Sequence, residues 1–165
     1  MSTSSRAIIC ILTLVLVSFS EAQTPPQYSL DYQANANGIT AKANRSLILQ
    51  DDQTLHLNNT LEASLGGHLV TRIQQNSIFE ITDNQLRPTI YSYQQTGLAQ
   101  ETQTINYNWG ALVAISVENK KRWRIELSSS TFDQLSHQAA LQQALINGTP
   151  NLEFPVIDED EIETY

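Results

Sequence analysis

The stretch INYNWGALVAISVENKKRWRIEL, residues 105–127, decides how this chain is built. Ile105, Tyr107, Trp109, Ala111, Val113, Ile115 and Val117 hold one parity, the pattern of a strand with one face buried. Glu118-Asn119-Lys120-Lys121 then reads as a hairpin connection to Trp123, Ile125 and Leu127. Two strands joined this tightly must run antiparallel, so the local unit is a meander rather than a crossover fold.

The same period extends toward the N-terminus. Tyr28, Leu30, Tyr32 and Ala34 alternate with polar residues before the turn Asn35-Ala36-Asn37-Gly38. Ile39, Ala41, Ala43, Leu47 and Leu49 follow, and Asp51-Asp52-Gln53 turns the chain again. Leu55, Leu57, Leu61, Ala63 and Leu65 lead to the break at Gly66-Gly67. Leu69, Thr71, Ile73, Phe79 and Ile81 share the next face, with Asp83-Asn84 as a turn. The pattern predicts a mainly β protein with one apolar and one wet face. Such a sheet must curve, and something must cover its apolar side.

The cover comes from the C-terminal side, in TFDQLSHQAALQQALINGTP, residues 131–150. Thr131-x-x-Gln134 fits a capping box. At about 100° per residue, Phe132, Leu135, Ala139 and Ile146 fall together, widened by Leu141 and Leu145. Gly148 and Pro150 end the helix. Asn151 to Ile157 begins another strand, and Asp158-Glu159-Asp160-Glu161 reads as a solvated acidic turn, lacking the spacing and glycine of an EF-hand calcium loop.

Asp133, Ser136 and His137 are the side-chain types of a hydrolase triad. Helical geometry opposes that use. Neighbours at i and i+1 diverge by about 100°, so Ser136 and His137 do not face each other. Asp133 and His137 are expected to meet on the polar flank, away from the apolar stripe, and no G-x-S-x-G elbow occurs. His56, His68 and His137 are scattered, so no metal ligand set is expected, and no phosphate loop or dinucleotide fingerprint is present. The expectation is no catalytic residue, no cofactor and no metal. Trp109, Trp123, Tyr91, Tyr93 and Tyr107 serve packing, or line an interior that takes an acyl chain or apolar peptide; alternation does not separate the two.

The first residues belong to export rather than to the fold. Arg6 precedes an apolar run from Ala7 to Phe19, and Ser20 and Ala22 set a cleavage site before Gln23. The run is short for a membrane span, so an uncleaved anchor is the weaker reading. Residues 1–22 are therefore expected to be a signal peptide, 23–27 a mobile lead-in and 28–165 one domain, in the periplasm or secreted. No transmembrane segment is expected after cleavage. Cys10 is the only cysteine and falls inside the apolar run, so the mature chain would have no disulfide. Removing Arg6 and Glu21 together leaves the net charge at −8, which argues against nucleic acid as partner. Acceptor patterns at Asn44, Asn58 and Asn147 carry no weight in so Asn- and Ser/Thr-rich a chain.

Four stretches in order resemble an uncharacterised family of exported bacterial proteins, domain of unknown function 3108. They are YSLDYQANANGITAKA (28–43), SIFEITDNQLRPTIYSY (77–93), INYNWGALVAISV (105–117) and TFDQLSHQAALQQALINGT (131–149). Leu86-Arg87-Pro88 and Asp133-x-x-Ser136 are the most telling pieces. The resemblance implies a periplasmic half-barrel similar in outline to lipoprotein-carrier folds, with no established activity and no catalytic residues. It also implies further strands beyond Tyr165, and hence an incomplete domain with an open edge at its C-terminal end. The function expected is non-enzymatic: holding an apolar ligand, or a lipidated or unfolded envelope partner, in the half-barrel. The alternative is an assembly module acting by edge-strand pairing near Glu153 to Tyr165.

Overall fold

A computed structural model describes residues 25–51, 53–82, 85–149 and 152–165. The expected signal peptide, residues 1–22, and the turn expected at residues 83–84 lie outside the described residues. Eight strands form one antiparallel sheet in chain order: β1 (Tyr28–Ala36), β2 (Ile39–Leu49), β3 (Thr54–Leu65), β4 (His68–Thr82), β5 (Gln85–Gly97), β6 (Glu101–Asn108), β7 (Val113–Glu118) and β8 (Lys121–Glu126). The first and last strands do not pair, so the meander is an open half-barrel. Helix α1 (Ser136–Ile146) and a separate hairpin, β9 (Pro155–Asp158) with β10 (Glu161–Thr164), follow.

Turn chemistry fixes the register. Ala36 opposes Ile39, Leu65 opposes His68 and Glu118 opposes Lys121, so each pair encloses a two-residue loop. Asn37 and Gly38, Gly66 and Gly67, and Asn119 and Lys120 all have positive φ, as the tightest hairpin turns require. Lys120, at φ 75°, is the one poorly suited residue of the six. Lys120→Gly is expected to raise unfolding stability by about 0.5–1 kcal/mol in urea titration, since glycine removes the left-handed penalty. Asn119 should stay, because its backbone and side chain pair with Thr102.

Two bulges adjust the sheet. Between Ala63 and Ser64 the partner in β4 jumps from Thr71 to Leu69, leaving Val70 unpaired. Leu69 therefore leaves the face of Thr71 and Ile73, which corrects the single face expected for that run. In β5 the partner of Ile78 is Ile90 and that of Phe79 is Pro88, with Thr89 as the extra residue. A bulge is where an interior strand tolerates a proline that has no N–H to donate. Thr89 Oγ donates to the Ile78 carbonyl at 3.0 Å, and Trp109 Nε1 donates to the Pro88 carbonyl at 2.7 Å.

The opening stretch is also corrected. Residues 105–117 are not one strand: the chain turns at Trp109–Leu112, with Leu112 at φ 51°, and β7 returns along β6. Ile105 opposes Ser116 and Tyr107 opposes Ala114, so Ala114 and Ser116 face inward while Val113, Ile115 and Val117 face out.

The core lies between the inner face and the α1–hairpin cover. Leu47, Leu55, Leu57, Phe79, Tyr91 and Ile105 meet Phe132, Leu135, Ala139, Val156 and Ile157, all buried. Phe132 bridges Val156 in parallel, with hydrogen bonds of 2.8 Å from Phe132 N to Pro155 O and from Ile157 N to Phe132 O. The helix ends as expected: Gly148 is left-handed, Thr149 N donates to Ala144 O and Gly148 N to Leu145 O. Its buried stripe is shorter than the period suggests. Leu145 and Ile146 are exposed, because the cover contacts the sheet through the first half of the helix.

Candidate binding face

The expected cap is displaced by two residues. Asp133 Oδ1 accepts the Leu135 and Ser136 amides at 2.9 and 2.8 Å, and Ser136 Oγ accepts the Asp133 amide at 3.0 Å. His137 N donates to the Asp133 carbonyl, the first helical bond, so Asp133-x-x-Ser136 is the capping box. Thr131 instead pairs with Ser128, whose amide and hydroxyl lie 3.0 and 2.9 Å from its Oγ. Gln134 donates to Asp158 Oδ1 at 2.7 Å and ties the helix entry to the hairpin.

Asp133 is fully buried, not on a polar flank, because Oδ2 accepts the Ser77 hydroxyl at 2.8 Å from the middle of the sheet. Desolvation raises its carboxyl above its ordinary value of 3.8, against the opposing pull of the bonds from Ser136, Ser77 and Leu135. His137 lies 3.3 Å from the Asp133 carbonyl, not its carboxylate, through Nδ1, and stacks on Tyr165. Ser136 is fully buried with its oxygen committed to the cap. The three residues close a helix and seat it on the sheet. Among the described residues no three His, Cys, Asp or Glu side chains gather as a metal site. The acidic run is the turn of β9–β10, with Glu159 at φ 50°.

What the inner face offers is a change of character from one row to the next. Across the sheet, Leu47, Leu57, Ser77, Tyr91, Ile105, Ser116 and Trp123 lie in register beneath the cover. One pleat further along, Arg45, Asn59, Gln75, Tyr93, Gln103 and Glu118 form a polar row. Asn59 donates to Gln75 at 2.8 Å, Gln75 to the Tyr91 hydroxyl at 3.1 Å, and Tyr93 to Gln95 at 2.7 Å. Burial pushes the Tyr91 hydroxyl far up. Gln103 Nε2, Tyr107 Oη and Ser116 Oγ are buried with no hydrogen-bond partner among the described residues. The Tyr107 ring packs against the core and stacks on Trp109, and its enclosed hydroxyl is held well above the usual range by desolvation. Burial and the charges of Glu159 and Glu101 raise the Glu118 carboxyl, so the row is acidic at its β7 end.

Beyond the polar row the face is apolar again, with Tyr32, Ala43, Leu61 and Ile73 in register. None of these belongs to the covered core. On the β1 side this surface becomes a groove of about 580 Å³ against α1, lined by Pro26, Gln27, Tyr28, Leu30, Tyr32, Arg45, Gln138 and Gln142. Leu30 and Tyr32 are 44% and 55% exposed there. The outer face carries a groove of about 510 Å³, but a ladder of Asn, Gln, Ser and Thr lines it, with Asn76 donating to Asn58 at 2.5 Å.

Sequence reasoning missed the polar row, although each strand shows it as a gap in the apolar alternation. Arg45 interrupts Ala43 and Leu47, Asn59 interrupts Leu57 and Leu61, and Gln75 follows Ile73. Only the register shows that these gaps align.

The fold and this face define an open antiparallel half-barrel whose inner surface is covered at one end and bare at the other. The sequence model of the family described as protein of unknown function (DUF3108) matches residues 27–165, and the chain belongs to that family. No curated protein and no solved structure matches it. Among the described residues no helix is long and apolar enough to cross a membrane.

Proposed function

We propose that this is an exported, non-enzymatic binding protein that holds one apolar chain along the bare end of its inner face. The observation that carries the reading is the apolar surface of Leu30, Tyr32, Leu61 and Ile73, on the side of the sheet that faces the cover yet outside the core. The adjoining groove of about 580 Å³, which Leu30 and Tyr32 line, falls in the range of about 300–1,000 Å³ typical of small-ligand sites. Export is supported by the order of charge, apolar run and small residues in positions 1–22. Protein purified from its own envelope should carry lipid in native mass spectrometry, and the emptied protein should bind a fluorescent fatty acid at micromolar concentration. Absence of both would overturn the reading.

A second reading is favoured by β1 alone. This nine-residue edge strand presents an unpaired ladder beside exposed Leu30 and Tyr32, whereas the other edge, β8, is guarded by Lys121, Arg122 and Arg124. In this reading the longer edge, β1, takes the partner, while the four-residue β10 gives the expected segment from Glu153 to Tyr165 a shorter edge of its own. Crosslinks to a partner from Gln33 rather than Glu163 would support it.

A further inference from the structure

We infer that the groove between β1 and α1 binds a long-chain carboxylate, with Arg45 holding the headgroup. The inference rests on the apolar-chain reading and names the ligand's polar end. Arg45 is half-buried on the inner face, opposite Leu30 and beside the cover. Its Nε donates to the Tyr28 hydroxyl at 3.1 Å and its Nη1 to the Gln138 side-chain carbonyl. Both partners are neutral. In a chain with 17 acidic residues, no carboxylate lies within ion-pair distance of this guanidinium among the described residues.

A partly buried cation without a counter-ion is costly to keep, and a bound anion removes that cost. The guanidinium fork has more donors than Tyr28 and Gln138 use, and its plane suits the two oxygens of a carboxylate. Tyr28 and Gln138 hold the fork from two elements, so its orientation is set before any ligand arrives. Gln142 also lines the groove from α1 and adds an amide group.

Charge and shape together select the ligand. Lys42 and Arg72 fall on the other parity of β2 and β4, facing out, and Arg72 pairs with Glu62 at 2.7 Å. The groove therefore offers one positive charge, which matches a monoanion. From Arg45 the apolar surface continues over Tyr32, Ala43, Leu61 and Ile73, one residue per strand, a path for a hydrocarbon tail running across the sheet.

The test compares palmitate with its methyl ester, below their aggregation concentrations, by displacement of a neutral fluorescent apolar probe from the full mature chain at pH 8. Palmitate should bind at least about tenfold more tightly than the ester, and the preference should shrink with salt and vanish in Arg45→Gln. Equal affinities would overturn the carboxylate site and leave the apolar groove standing. Failure of both ligands and of the probe would overturn the apolar groove itself. The comparison on the unaltered chain decides the matter even if Arg45→Gln does not fold.

Discussion

Gly97→Ala is expected to cost about 3–5 kcal/mol of unfolding free energy. A Cβ at Gly97 would sit 2.1 Å from the Val70 carbonyl oxygen, and 2.9 Å from both Val70 C and Thr71 Cα. All three are backbone atoms, so no side chain is free to swing away. Gly97 also has φ 107°, where any other residue is strained by roughly 1–3 kcal/mol on its own. Its position explains the tightness. Gly97 closes β5 against the bulge at Val70, and Leu98 N donates to the Val70 carbonyl at 3.1 Å. Forcing a methyl group in must move one strand off the other, which adds an overpacking cost of about 1–3 kcal/mol. Gly67→Ala is the control: it too has positive φ, but nothing lies within 4 Å of its Cβ. Urea titration should show the control losing only about 1 kcal/mol. Equal losses at the two sites would mean that backbone strain alone matters and that the contact with Val70 is relaxed at little cost.

Both substitutions bear on what a reader of the sequence sees. The hairpins were legible because Asn37-Gly38, Gly66-Gly67 and Asn119-Lys120 each separate runs of period two, and two-residue loops fix the register without help from the rest of the chain. Bulges were not legible. Val70 and Thr89 look like ordinary strand residues, and the extra residue is recognised only when both partners are known. The turn at Trp109–Leu112 was hidden for a different reason. Val113, Ile115 and Val117 are apolar although they face out, so the alternation carries straight through the reversal. Asn108 and Gly110 were the local signs of a turn, and the Asn108 side chain does accept the Ala111 amide at 3.0 Å.

The capping box shows how tertiary contacts override a local pattern. Thr131-x-x-Gln134 matches the sequence pattern and the overlapping Asp133-x-x-Ser136 does not, yet Asp133 and Ser136 make the reciprocal bonds. Phe132 settles the choice: its backbone pairs with Pro155 and Ile157, which keeps residue 132 extended and leaves the helix to start after it. The binding face was the least legible part. Gln75, Tyr93 and Gln103 come from three strands and become neighbours only through the ladder. Arg45 reads as a surface residue of β2 until Gln138, 93 residues away, is placed against it.

Asp133 separates two roles that one carboxylate plays here, shape and charge. Asp133→Ala should cost about 3 kcal/mol: the Leu135 and Ser136 amides lose their acceptor, the Ser77 hydroxyl loses its own, and all are buried. Asp133→Asn should cost no more than about 1 kcal/mol. Its Oδ1 still accepts both amides, and its Nδ2 donates to Ser77, whose hydroxyl turns from donor to acceptor. The charge contributes with the opposite sign. Burial raises the folded-state pKa above 3.8, so the folded protein holds the proton more strongly than the unfolded chain does. That contribution is fully present below the unfolded value and is lost as pH rises through the folded one. The asparagine variant does not titrate, so the unaltered protein should gain on it as pH falls from 7 toward 4. Thermal denaturation of the three proteins across that range checks both statements. If Asp133→Asn is as damaging as Asp133→Ala at pH 7, the negative charge itself is required. The hydrogen bonds from Ser136, Leu135 and Ser77 then outweigh desolvation, and the pH trend must reverse.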